Sequence, residues 1–424
     1  RENFWKPLES VVNQFKLRGS WGELGNQNTS NLYPFYEILP VKSNSGNWLV
    51  NGGKTNTADI PSLVSTLLTW ERVRSFNVGF DFGAFSNRLT GSFDYFVRKT
   101  VDMVGPAPQL PLVLGIAPAI VNNADMKSYG FEIELSWRDR IGEVDYGVKF
   151  NLADAQQKVV KYPNTTNAFS DWYAGKMSGE IWGYTSLGIA KTDEEMKEHL
   201  ASLPNGGQNQ LGNKWGAGDI MYADINGDGK VDGGKGTLAD PGDQRIIGNS
   251  TPRYNFGLVL DASYKGFDVS IFFQGVGKRD YAPIVGTNGA VFWGAVNNIW
   301  QSMAMEEHFD YFRPEGHPMG ANLNGYYPRP DFTSNKNHQV QTRYLQDASY
   351  IRLKNLQIGY TLPKQWINKL HINRCRVYVS GDNLWTGTSL ASMFDPETLA
   401  AGDWGSGKTY PLSKVISFGL NVNF

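Results

Sequence analysis

The run Leu412 to Phe424, LSKVISFGLNVNF, restricts the fold more than any other stretch of the chain. Side chains of an extended chain alternate with a period of two. Ile416, Phe418, Leu420, Val422 and Phe424 therefore share one side, and Ser417, Gly419, Asn421 and Asn423 share the other. One side is oily and the other is wet. A soluble sandwich would cover the oily side with a second sheet. A membrane barrel turns that side to lipid and the polar side to water, with aromatic residues at the interface.

The same alternation recurs along the chain. Phe15, Leu17, Gly19 and Trp21 alternate with Lys16, Arg18 and Ser20. Phe76 to Phe82, then Leu89 to Val97 after a short SNR turn, predict a hairpin. Phe131, Ile133, Leu135 and Trp137 oppose Glu132, Glu134 and Ser136, and Val144 to Leu152 oppose Asp145, Lys149 and Asn151. Further strands are predicted over Tyr254–Tyr264, Phe267–Phe273, Tyr350–Leu362 and from Cys375, with a bulge where alternation slips between Leu353 and Leu356. About ten strands result, and their connections alternate between long and short along the chain. That order places all the long loops at one end, as outer-membrane barrels do. The expected fold is all-β, an antiparallel transmembrane β-barrel with its long loops extracellular and its carboxy-terminus periplasmic.

Composition removes other classes. The chain has 47 Gly, 23 Phe, 20 Tyr and 13 Trp, which suits turns, strands and aromatic girdles. A net charge of -1 supplies no cationic excess to displace counterions from nucleic acid. The single cysteine, Cys375, excludes an internal disulfide framework. No run of about 18 apolar residues exists to form a membrane helix, and a barrel needs none. The opening RENFWKPLES is not a signal peptide, so the expectation is that a leader was removed or that a longer protein precedes it.

A connection from Ala153 to Thr251 (153–251) is the longest. It holds a short helix with a capping pair, Thr192 and Glu195, and the sequence DINGDGKVD. Oxygens of Asp224, Asn226, Asp228 and Asp232, the Lys230 carbonyl, and a bend at Gly229 match the first nine positions of a calcium loop. Position 12 is Lys235, so Asp243, or else Asp240, would have to return as the last ligand. Ca2+ is the first choice of ion and Mg2+ the second, in a structural role. The competing reading is a cluster of Asx turns with no ion. No catalytic constellation is present: the five histidines are scattered, and Glu132 and Glu134 read as pore lining. The loop tryptophans read either as stacking platforms for a ligand or as packing within their own loops.

GDIMYADINGDGKVD, DPGDQRIIGNSTPRYNFGL, SYIRLKNLQIGYTLPKQW and VYVSGDNLW, with KLRGSWGELGNQN and NADMKSYGFEIELSW, resemble the SusC/RagA family of TonB-dependent outer-membrane transporters. The resemblance implies that residues 1–424 are the carboxy-terminal part of a barrel of about 22 strands. The plug domain and earlier strands would lie outside this chain. It implies a SusD-like surface lipoprotein, TonB, outer-membrane lipid and the rest of the barrel as partners, with an oligosaccharide or peptide as substrate. It also supports Asp243 as the distal ion ligand, and makes Trp293, Trp300, Tyr326 and Trp404 candidates for contact with ligand or lid. The rivals are a passive porin and a secreted calcium-dependent protein with a carbohydrate-binding or adhesive role. Solubility without detergent would favour the second.

Overall fold

The computed structural model describes the chain apart from residues 1–2, 28–35, 62, 66, 108–110, 112, 114, 117, 284–290, 295–304, 332–334, 369–370 and 400–408. Ten long strands carry it: β1 (Val12–Asn26), β2 (Glu71–Ala84), β3 (Leu89–Gly105), β4 (Val121–Ile141), β5 (Val144–Lys161), β6 (Arg253–Tyr264), β7 (Phe267–Lys278), β8 (Tyr350–Thr361), β9 (Arg374–Thr388) and β10 (Val415–Asn423). They form one antiparallel sheet in which each strand bonds its neighbours in sequence. Among the described residues, β1 pairs only with β2 and β10 only with β9, so the sheet has two open edges. Among the described residues no helix is long and apolar enough to cross a membrane.

The short connections follow from turn chemistry. Lys265 (φ 46) and Gly266 (φ 90) form a tight turn between β6 and β7, a backbone that glycine tolerates freely. Between β2 and β3, Phe85, Ser86 and Asn87 all take positive φ. The expected bulge is present. Leu353 and Asn355 pair with both neighbouring strands while Lys354 opposes no residue in either ladder.

Register turns the alternation of single strands into two faces. One rung runs Phe15–Phe82–Gly91–Leu135–Phe150–Leu258–Phe273–Leu353–Trp385 across nine strands. The rung beside it runs Lys16–Asp81–Ser92–Glu134–Asn151–Gly257–Gln274–Arg352–Thr386. A slip of one residue would exchange the two faces, so the register is specified throughout. Phe418 is 82% exposed and Leu420 64%. Among the described residues no second layer covers them, unlike the inner face of a sandwich.

The antiparallel order puts the connections after β1, β3, β5, β7 and β9 at one end of the sheet and the short turns at the other. Several boundaries differ from expectation, among them the end of β7 at Lys278 rather than Phe273. β5 continues to Lys161, so its connection starts at Tyr162 rather than Ala153, and β4 starts at Val121, ten residues ahead of Phe131. The helix α1 (Asp193–Ala201) forms as expected, with Thr192 Oγ1 accepting from Glu195 N at 3.1 Å. The Glu195 carboxylate returns to Lys191 N rather than to the cap residue.

The apolar core lies in the long connections rather than in the sheet. Tyr184, Ile220, Tyr222, Val231, Phe292, Trp293, Tyr327, Tyr344 and Phe394 form one cluster drawn from three separate loops. Those loops stack into a single body above the sheet's end.

Candidate functional site: a polar wall beneath a packed loop assembly

The polar face of β1 to β4 forms a concavity of about 570 Å3, whose walls include Arg18, Ser20, Asn77, Asp94, Arg98 and Glu132. The Arg18 guanidinium bridges Asp81 at 2.9 Å and Asp94 at 2.7 Å. Gly79 permits this crowding: a Cβ there would lie 2.4 Å from the Phe93 carbonyl oxygen and equally close to Asp94. Farther along, Arg376 pairs with Asp268 and donates to Gln357 at 2.9 Å, in space that Gly359 leaves open: a Cβ there would lie 2.4 Å from Arg376 Nη2. Fixed opposite charges on a half-exposed wall can hold water and polar solute.

The loop body is fastened by one buried carboxylate. Asp219 is fully buried, and its two oxygens accept from Arg329 Nε (2.7 Å), Arg329 Nη2 (2.6 Å), Lys336 Nζ (2.9 Å), Asn337 Nδ2 (2.9 Å) and Gly216 N (2.9 Å). Those donors link the 162–252 connection to the 279–349 connection. Lys336 also lies 5.1 Å over the Trp215 ring. Burial raises the hydroxyl pKa of Tyr281 to about 12 and pushes Tyr222 well above the usual range, so these side chains stay neutral in the cluster.

The final long connection is tied to the wall itself. Arg352, on the polar rung of β8, donates to Asp395 at 2.7 Å and to Glu397 at 2.8 Å. Lys354, the bulged residue, reaches Glu397 at 2.6 Å. Burial by itself would raise the Asp395 carboxyl; the Arg352 guanidinium and the N–H groups of Glu397 and Leu412 outweigh it and hold the pKa below the usual value. A depressed folded value gives stability that is complete above the ordinary Asp range, near pH 4, and is lost as pH falls through the lower folded value. Proteolysis within Ser389–Leu399 is expected to accelerate below about pH 4 with strand content unchanged. Asp395→Asn should show the same acceleration at neutral pH.

The predicted ion ligands occupy one turn-rich segment. Asp224 accepts from Gly227 N (2.6 Å) and Gly229 N (2.8 Å), both glycines at positive φ, and Asn226 Oδ1 accepts from Asp228 N at 3.0 Å. These are the backbone bonds that curl a calcium loop's first half inward. The second half is held differently. Lys230 Nζ bonds the Asp232 carboxylate, lowering its pKa. Buried Asp243 accepts from Ile225 N (2.7 Å), Asn226 N (3.3 Å) and Asp232 N (2.8 Å). Its pKa is raised, chiefly by burial and also by the Asp224 charge, against those three N–H groups. The donor set is all oxygen and suits a hard cation. Among the described residues, however, no three carboxylates or histidines converge closely enough to hold an ion as they stand. Asp243 acts in this geometry as a clamp on the loop backbone.

The four aromatic candidates divide. Trp293 is only 1% exposed, its ring 4.7 Å from Tyr344 and 4.6 Å from His338, so it belongs to the loop core and presents no face to ligand or lid. Tyr326 is half-buried at the rim of that core, its hydroxyl accepting from Gln346 Nε2 at 2.8 Å. Trp300 and Trp404 lie outside the described residues. Of the strand tryptophans, Trp21 and Trp385 are well exposed on the apolar face, as interface anchors require. Sequence reasoning missed the Asp219 and Arg352 fastenings. DxxYxD-like polar runs give no sign of a partner a hundred residues away, although two charges in otherwise apolar surroundings, Asp219 before IMY and Arg352 after YI, are a faint one.

Comparison with known proteins agrees with this architecture. Residues 4–384 match the family model described as TonB dependent receptor-like, beta-barrel. TonB-dependent receptor P3 of Formosa agariphila is 28% identical across the whole of this chain, and SusC of Bacteroides thetaiotaomicron is 21% identical. The chain covers 40% and 39% of those two relatives. The structure of the RagAB peptide transporter superposes with a TM-score of 0.70 at 22% identity, covering 98% of this chain and 41% of the other. The chain thus spans about two fifths of the length of the relatives it matches, and with its alternating faces, ordered strands and family match it belongs to the TonB-dependent receptor β-barrel family.

Proposed function

We propose that this chain forms the carboxy-terminal part of an outer-membrane, TonB-dependent importer of the SusC/RagA type. It takes up oligosaccharide or peptide together with a SusD-like surface lipoprotein. The observation that carries the reading is the pair of adjacent rungs, one apolar and one polar apart from a glycine in each, running across nine strands with every long connection at the same end. In this reading the apolar face meets lipid and the long connections stand outside the cell. The polar wall passes a hydrated substrate once TonB acts on a plug domain. The similarity to SusC and to RagA supports the lipoprotein partner.

The test is uptake of labelled oligosaccharides and peptides by cells producing the receptor. Uptake that requires both TonB and the lipoprotein is expected; uptake that persists without TonB would indicate a passive porin. Deleting Tyr281–Tyr327 should abolish lipoprotein association, and unchanged association and uptake would refute a lid contact there.

The 224–243 segment is proposed to bind Ca2+ structurally through Asp224, Asn226, Asp228, the Lys230 carbonyl and Asp232, with Asp243 bracing the loop. Binding would require the Lys230 ammonium to leave Asp232. Lys230→Ala is therefore expected to tighten calcium binding by about tenfold, read by calorimetry. Unchanged heat of mixing in both proteins would leave the Asx-turn reading standing.

A further inference from the structure

On the outer side of β2, β3 and β4 the chemistry changes at a single rung. The last apolar rung is Trp21–Phe76–Val97–Tyr129, where Trp21 is 70% exposed. The next rung with side chains on the same face, toward the long connections, is Glu23–Arg74–Lys99–Lys127–Lys158. Residues paired directly across an antiparallel ladder share a face, with Cβ atoms about 5 Å apart. Four cations therefore stand abreast over three strand gaps, a band roughly 14 Å wide. Like charges placed opposite each other oppose sheet formation. The local acids relieve only part of this: Glu23 holds Arg74 at 2.7 Å, and Asp125 lies 3.7 Å from Lys99. Lys127 rests 5.2 Å over the Tyr129 ring. Neither Lys127 nor Lys158 makes an ion pair among the described residues, and Lys158 is exposed. A chain of net charge -1 has gathered four cations on this one rung.

We propose that this basic rung is a binding site for the phosphate of an anionic lipid headgroup. The lipid belongs to the membrane leaflet nearest the long connections. Its acyl chains lie on Phe76, Val97 and Tyr129, and its phosphate sits against Lys99, Lys127 and Lys158. Position selects the occupant: a ligand on this rung has the apolar belt directly beside it, which suits an amphiphile and not a free polyanion. Lysine suits the task because its stem lies along apolar surface while the ammonium reaches the headgroup plane. The site rests on the proposed lipid-facing orientation of this side of the sheet.

The experiment reconstitutes the full-length receptor into nanodiscs of phosphatidylcholine with a minor share of phosphatidylglycerol. Native mass spectrometry then counts the lipids retained. The parent protein is expected to retain the anionic lipid about fivefold over its share of the mixture. The triple variant Lys99→Gln, Lys127→Gln, Lys158→Gln should fall to parity, and the matching triple Arg variant should keep the preference. Equal preference in parent and Gln variant would overturn the site, as would loss of bound lipid on adding millimolar inorganic phosphate, which would make free phosphate the ligand. If no lipid of either kind is retained and the protein stays dispersed without detergent, the membrane reading itself has failed.

Discussion

Replacing Asp219 with alanine is expected to unfold the loop body while leaving the ten-stranded sheet in place. The substitution takes from Lys336, a buried ammonium, the nearer of its two carboxylates, at 2.9 Å, leaving Asp331 at 3.7 Å, and it also releases Arg329 and Asn337. Removing one member of a buried ion pair costs about 3–5 kcal/mol, because the remaining charge keeps its desolvation penalty. The loss falls on the loops, since Asp219 contacts no strand of the sheet through its side chain. Asp219→Asn keeps one acceptor and should cost less, about 1–3 kcal/mol. Hydrogen exchange measures this directly. Protection should vanish around Ile220–Tyr222 and Asn337–Tyr344 in the alanine variant and persist in β4, β5 and β9. Full protection at Ile220–Tyr222 would show that the cluster does not depend on this carboxylate.

A second large effect separates two adjacent residues. Phe150 and Asn151 are neighbours in β5, the first on the apolar rung and the second on the polar one. A lysine on the lipid face near the bilayer middle costs about 2–4 kcal/mol, while lumen-side substitutions are tolerated. Phe150→Lys is therefore expected to lower the urea midpoint of the receptor in liposomes substantially, and Asn151→Lys to leave it nearly unchanged. Similar losses from both would mean that β5 is buried on both faces.

The strand system was legible because a period of two is a local property. Once Phe131 to Trp137 and Val144 to Leu152 alternate, register follows from joining them through the turn at Gly142. The end of β5 was not legible, because AQQKVVK from Ala155 to Lys161 lacks both aromatic residues and clear alternation. Its pairing with β4 extends it regardless of propensity. The fate of the loop aromatics was beyond sequence for a different reason. Whether Trp293 stacks on a ligand or packs inside depends on Tyr344 and His338, which only tertiary folding brings beside it. The acidic motif fell between these cases. Its bend and first-half bonds follow from Asp, Asn and Gly spacing, but the turn from Gly233 to Gly242 places Asp243 under the loop backbone, and no residue count predicts that.

In a membrane-spanning barrel the two faces of this sheet meet different solvents. Single cysteines placed at 150, 151, 417 and 418, in a background carrying Cys375→Ser, test it in intact outer membranes. A water-soluble maleimide should modify positions 151 and 417, and a membrane-dissolved one positions 150 and 418. Rapid modification of 150 and 418 by the water-soluble reagent, with 151 and 417 silent, would contradict it.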